Sequence, residues 1–218
     1  MSMGSGADSI DAVSQIPTTV EKPVIVELGP GAGYSLREMI KNLSPSRVYG
    51  VEISEAFRRK LATDAELKPS IEAGVLSLHE DDAKDLNFIP DNSVDIIFAF
   101  NVIYFLDPLP SYLQECHRIL KPGGSVIFGV KNVAKDMDKS IYINTDWEMC
   151  LEEMKKSGFG DVEIKDEQLE GSVAYIPLVG KKEYKEEGKE EYKEEGKKEF
   201  KEISRSLSDE TGNTEYSA

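Results

Sequence analysis

Residues 24–33 read VIVELGPGAG. From Val24 to Leu28 the residues are apolar and mostly β-branched, with a single acid, Glu27, among them. That composition suits a strand buried on both faces. Glycines then follow at alternate positions, Gly29, Gly31 and Gly33, and Tyr34 to Leu43 carries Leu36, Met39, Ile40 and Leu43 at helical spacing. A strand, a turn lacking β-carbons at key points and a helix make half of a nucleotide-binding unit. The glycines allow backbone conformations closed to other residues and let a ligand approach closely, and the helix start presents unpaired amides to it. The dinucleotide fingerprint G-x-G-x-x-G needs its third glycine where Tyr34 stands, so a nicotinamide cofactor is disfavoured.

Moving outward, Val48 to Ile53 (VYGVEI) reads as a second strand ending at Glu52. A carboxylate at that tip can accept both hydroxyls of a ribose. Ser54 has the character of a helix cap, with Glu55, Phe57, Leu61 and Leu67 in the helix it opens. Gly74 to His79 reads as a third strand and runs into the acidic turn EDDAKDL, residues 80–86. Val94 to Phe100 is apolar apart from Asp95, as a central parallel strand should be. A helix over Leu109–Leu120, a Lys121-Pro-Gly-Gly124 turn and a fifth strand over Ser125–Val130 follow. Asp146 caps a helix from Trp147 to Ser157. Asp161–Lys165 and Ser172–Val179 close the sheet as a hairpin, with Pro177 implying an edge or a bulge.

The glycine turn, Glu52, the Asp82-Ala83 pair and above all the block from Asp95-Ile-Ile-Phe to Leu120-Lys-Pro-Gly-Gly together resemble the motifs of class I S-adenosylmethionine (SAM)-dependent methyltransferases of the small-molecule type. The resemblance covers about residues 22–180. It implies an α/β, Rossmann-like, seven-stranded and mostly parallel sheet with flanking helices and the last strand antiparallel. It implies SAM as methyl donor and transfer by in-line displacement. Carried over residue by residue, Glu27 would help hold the methionine amine. Gly29, Gly31 and Gly33 would form the loop under methionine and ribose. Glu52 would take the ribose hydroxyls, Ile53 would pack on the adenine, Asp82 and Ala83 would read its edge, and Asn101 would face the sulfonium. Tyr34, Tyr104, Phe105 and Tyr142 are the candidates for the acceptor pocket. The residues identify no general base: His79 ends a strand and His117 lies in a helix. No metal site is expected, since two histidines and two cysteines are too few and too scattered.

Composition bounds the partners. The formal net charge is −15 over 218 residues, and the globular part shows no basic cluster, so nucleic acid and anionic membranes are disfavoured. A small-molecule acceptor is expected. No apolar run nears the roughly 18 residues that span a bilayer, the first 20 residues contain no Lys or Arg, and Cys116 and Cys150 read as buried free thiols. These features suit a cytoplasmic protein. Residues 1–21 read as a flexible arm with one helical turn near Ile10–Ile16. From Lys181 three octads, beginning KKEYKEEG, form a charged low-complexity tail, disordered or partly helical, through which a protein partner would dock if one exists. Two alternatives fit the same residues: a catalytically silent SAM-binding or regulatory protein, and an aminopropyltransferase, the latter lacking its usual N-terminal β-domain. Turnover separates the first; preference for decarboxylated SAM separates the second.

Overall fold

The computed structural model describes residues 20–131, 138–166, 168–170 and 173–184. The expectations for the N-terminal arm and for the octad tail lie outside those residues. Among the described residues, eight strands form one sheet: β1 (Val24–Leu28), β2 (Arg47–Val51), β3 (Leu76–His79), β4 (Val94–Phe100), β5 (Leu120–Lys131), β6 (Phe159–Ile164), β7 (Gln168–Glu170) and β8 (Val173–Lys182). Five helices accompany them: α1 (Tyr34–Leu43), α2 (Glu55–Ala62), α3 (Lys68–Glu72), α4 (Leu109–Ile119) and α5 (Trp147–Lys156). The strand order is β3-β2-β1-β4-β5-β8-β6, with β7 paired to β8 alone. β1 to β5 run parallel to one another, whereas β8 runs antiparallel between β5 and β6.

Alternation along the central strands divides the core in two. Ile25, Ile96, Phe98 and Ile127 point to the layer of Leu36 and Met39 on α1 and Leu61 on α2. Val26, Ile97, Ala99, Val126 and Phe128 point to the opposite layer, with Leu113, Cys116 and Ile119 of α4 and Cys150 and Met154 of α5. Period-2 alternation with apolar residues on both faces is what a parallel sheet covered by two helix layers requires. It also puts Glu27 on the α1 face, in line with Ile25. Both cysteines are free and buried.

Order starts again at the sheet's centre with β1. The strands are added outward to β3 on one side of β1 and then from β4 on the other, and that switch point in strand order is where open α/β sheets bind ligands. Asp95, the single acid in β4, explains itself here. Its Oδ2 accepts from the Val24 amide at 2.8 Å, and Lys121 Nζ donates to both oxygens at 2.9 Å. The carboxylate thus ties the start of β1 to β4 and to the turn that enters β5.

Several boundaries differ from the sequence reading. The sheet has an eighth, three-residue strand, β7, within the expected hairpin connection. The expected second helix stops at Thr63, and Leu67 stands just before the separate short helix α3. The Lys121-Pro-Gly-Gly124 turn is absorbed into β5 as an irregularity, with Val94 opposite Leu120 but Ile96 opposite Ser125. Pro177 is not on an edge: β8 lies between two strands. Its missing donor is tolerated because β6 ends beside it, and its carbonyl still accepts from the Lys165 amide at 2.9 Å. β8 continues through Lys182, one residue past Lys181, where the composition shifts.

Asp95→Ala is expected to destabilise the protein by about 2 kcal/mol in urea unfolding, because a buried amide and an ammonium lose their acceptor together. A loss under about 0.5 kcal/mol would show that this tie contributes little.

Candidate functional site

A cavity of about 350 Å³ opens at the C-terminal ends of β1, β2 and β4, within the size range of small-molecule sites. Its wall includes Gly29 and Gly31 after β1, Glu52 and Ile53 after β2, Asp81, Asp82 and Ala83 after β3, and Asn101, Val102, Phe105 and Leu106 after β4, with Phe57 and Tyr112 from α2 and α4.

The three glycines have two different reasons. All have positive φ, at 65°, 52° and 81°, which excludes most side chains. A β-carbon on Gly29 would meet Val102 at 2.7 Å, and one on Gly33 would meet Leu61 at 2.5 Å. Those two let neighbouring elements close in. A β-carbon on Gly31 would meet only a backbone oxygen at 4.0 Å. Packing does not fill that space; the cavity does. Gly33 itself caps α1 and stays off the cavity wall.

Glu52 is almost fully buried, yet its carboxylate is on the wall. Oε2 accepts from the Gly31 amide at 3.0 Å and Oε1 from the Ser54 amide at 2.8 Å. A carboxylate has about four acceptor positions, so these two bonds leave capacity toward the cavity. Arg58 donates to the Glu52 carbonyl at 2.7 Å and pairs with Glu80, fixing the chain end behind it.

Glu27 lies one step behind the wall, fully buried. Its Oε1 accepts from the Ser35 hydroxyl at the start of α1, while Oε2 has no hydrogen-bond partner. Burial pushes its carboxyl up to about 8, the Ser35 bond opposing and the Glu52 charge adding to that rise. Asn101, on the wall with φ at 56°, likewise has an unpartnered buried oxygen, Oδ1. Two buried oxygens without partners among the described residues sit at the tips of adjacent strands, and such atoms are costly unless something supplies a partner.

At the third strand end, Asp82 accepts from Lys84 through the ammonium at 2.9 Å and the backbone amide at 3.3 Å. Burial alone would raise its carboxyl, but Lys84 and the Tyr112 hydroxyl outweigh it and hold the group below its ordinary value. Tyr112, which the sequence reading missed, is therefore a wall residue. Its place at helical spacing among Leu109, Leu113 and Cys116 marked it only as core. Ile53 stands 75% exposed on the wall.

Of the four aromatic candidates, only Phe105 reaches the wall. Tyr34 points away from it and stacks with Arg37 at 4.7 Å. Tyr104 is buried and its hydroxyl is spent, donating to the Lys131 carbonyl at 3.0 Å and accepting from the Lys131 amide at 2.7 Å. Tyr142 lies behind Phe105, rings 5.3 Å apart. His79 stacks on Phe88 at 3.9 Å, and His117 meets the Phe159 ring at 5.3 Å; neither lines the cavity.

Residues 26–128 match the family described as a methyltransferase domain. Among curated proteins, the chain is 33% identical over 140 residues to a tRNA (guanine-N(7)-)-methyltransferase of Idiomarina loihiensis, covering 62% of this chain and 51% of that one. It is 28% identical over 148 residues to the 2-methyl-6-phytyl-1,4-hydroquinone methyltransferase of Spinacia oleracea, covering 65% and 41%. The chain spans about half or less of the length of these relatives. Among solved structures, it resembles the complex between the Haloferax volcanii Trm112 methyltransferase activator and a methyltransferase, with TM-score 0.64, 20% identity, and 80% of this chain and 88% of that one covered. At that identity the likeness is one of fold.

A carboxyl raised on folding holds its proton in the native state after the unfolded chain has lost it, so stability falls as pH rises between the ordinary carboxyl value and about 8. Relative to the parent, Glu27→Gln is therefore expected to gain stability from pH 5 to pH 8, at up to about 1.4 kcal/mol per pH unit. Thermal unfolding of both proteins across that range checks it; a constant difference would place the Glu27 carboxyl in the ordinary range.

Proposed function

We propose, from the match of residues 26–128 to the methyltransferase domain family, that the protein binds S-adenosylmethionine in the cavity at the tips of β1, β2 and β4 and transfers its methyl group to a small-molecule nucleophile. The observation that carries this reading is Gly31. Its missing β-carbon leaves space that no atom of the described residues uses, its amide is fixed by Glu52, and both residues face the cavity.

The residues present fit the donor. Glu52 keeps acceptor capacity for a ribose diol. Asp82 and Ala83 stand where an acid and a backbone amide can meet an adenine edge, and exposed Ile53 offers an apolar face to its ring. The lone acceptors on Glu27 and Asn101 suit an ammonium, and the concentration of acids favours a cationic ligand in a partly dry site. When bound, SAM supplies a methyl group already activated on a sulfonium. What the chain contributes is position: the wall holds the donor on the β1–β2 side and leaves the Phe105 side to the acceptor. No histidine lines the cavity, so an acceptor whose nucleophilic atom loses its proton easily is favoured over one that needs a strong base.

A small acceptor is supported by two features. The cavity is of small-molecule size, and the chain's net charge of −15 opposes a polyanion. The two curated relatives named above carry different acceptors in their names, so the acceptor is argued from this cavity rather than from either of them.

Titration calorimetry is expected to show micromolar binding of SAM and of S-adenosylhomocysteine. Glu52→Ala should weaken both at least tenfold, and Glu52→Gln, which keeps an acceptor for the Gly31 amide, should weaken them less. Unchanged affinity in a folded Glu52→Ala protein would remove Glu52 from the donor site. Methyl transfer from labelled SAM into a fractionated metabolite pool, set against labelled protein and RNA pools, tests turnover and acceptor class together; binding without transfer to any of them would favour a silent SAM-binding protein.

A further inference from the structure

Several of the large apolar side chains that remain exposed stand on one opening or next to a residue that does. Ile53, Phe57 and Phe105 are exposed and stand on the cavity wall. Exposed Ile141 and Ile143 flank Tyr142, whose ring lies 5.3 Å from that of Phe105 at 50°. Phe105 is 51% exposed on the wall, and half-buried Tyr142, off the wall itself, sets a second ring at an angle beside it, so that the two rings form a corner. Water has to be kept against these rings in the free protein, and contiguous exposed apolar surface next to a cavity marks a ligand site.

The corner is already ordered. Tyr104 backs both rings, 6.1 Å from Phe105 and 5.7 Å from Tyr142, and Trp147 backs Tyr104 at 5.8 Å. The turn that carries Phe105 is stitched to the segment that carries Tyr142. Buried Asn144 donates from Nδ2 to the Ile103 and Leu106 carbonyls, both at 2.8 Å, and the Ile143 amide donates to the Tyr104 carbonyl at 3.1 Å. A ligand that meets a fixed surface loses little affinity to ordering it.

Charge narrows the ligand further. Among the described residues the wall carries Glu52, Asp81 and Asp82 and no Lys, Arg or His, and the ammonium of Lys84, off the wall, is paired with Asp82 at 2.9 Å. No described wall residue would neutralise a phosphate or carboxylate, and burying an uncompensated anion beside these acids is unfavourable. Two rings set at an angle offer one face and one edge, the arrangement a third ring completes.

We propose that the methyl acceptor is an uncharged molecule with a flat apolar ring, held in the corner formed by Phe105 and Tyr142. The proposal rests on the donor assignment above for its orientation, since the adenosyl group would occupy the Ile53 side and leave this corner to the acceptor.

The test uses the full chain. S-adenosylhomocysteine is titrated first, and its binding heat judges the donor assignment alone. The protein, saturated with that ligand, is then titrated with 2-naphthol, with decanoate and with adenosine monophosphate. Should the donor product not bind, the same three titrations are made on the free protein and judged alike. The expected result is submillimolar binding of 2-naphthol, at least tenfold tighter than of the other two. Phe105→Ser should weaken naphthol binding at least tenfold, and Tyr142→Leu, which keeps apolar bulk without a ring, severalfold, with S-adenosylhomocysteine affinity within threefold of the parent in both. The proposal is overturned if naphthol does not bind, if decanoate or the nucleotide binds as tightly, or if Phe105→Ser leaves naphthol affinity unchanged.

Discussion

The Glu52 carboxylate holds the site together. One oxygen takes the Gly31 amide and the other the Ser54 amide, at 3.0 and 2.8 Å. The first bond pins the glycine turn after β1 to the end of β2; the second fixes the residue that opens α2. Both donors are backbone groups at chain ends, where unpaired amides must find acceptors. A charged acceptor makes stronger bonds than a neutral one. Because these bonds do not use up the carboxylate, the same group that builds the cavity edge still presents acceptor positions to whatever enters. Structure and binding therefore share one side chain, and a shorter residue at position 52 would disturb both.

The parallel core and its switch point were legible because burial on both faces leaves a plain mark in composition. VIVEL and VDIIFAF are nearly uninterrupted apolar runs, and only central strands of a covered sheet need them. The one acid in each run has a local reason that composition alone does not disclose. Asp95 serves the fold through Val24 and Lys121, whereas Glu27 keeps an oxygen with no partner. Pro177 misled because a rule about donors was read as a rule about edges. A proline fits an interior strand wherever its neighbour ends, and β6 ends beside it. Tyr112 was hidden by its own helix. Its spacing is that of a core residue, and only the fold reveals that the hydroxyl end of that side chain reaches Asp82.

The aromatic residues show the same limit. Four were singled out because they follow a glycine turn or a strand end, where sites are found. Sequence position puts Tyr104 and Phe105 side by side, yet they face opposite ways. Tyr104 turns inward and bonds both backbone groups of Lys131, and Phe105 turns out into the cavity. In this turn the two side chains diverge, and of the pair Phe105 lines the opening. Tyr104 acts instead as backing for the ring beside it.

Electrostatics then separates the two halves of the cavity. Glu27, Glu52 and Asp82 come from the ends or vicinity of β1, β2 and β3, all on one side of the β1–β4 switch point. The β4 side offers Val102, Phe105 and Leu106 with the amide of Asn101. Burial keeps Glu27 from carrying its charge cheaply and pushes its carboxyl up to about 8, with the Glu52 charge adding to the rise. A positive ligand relieves that conflict where a neutral one would not, and a ligand on the β4 side gains nothing from it. One half of the opening thus favours a cation with hydroxyl and ring edges to be read, and the other favours apolar surface. A two-substrate reaction between a charged donor and an uncharged acceptor needs that division, and here it follows from which strand ends carry acids and which carry rings.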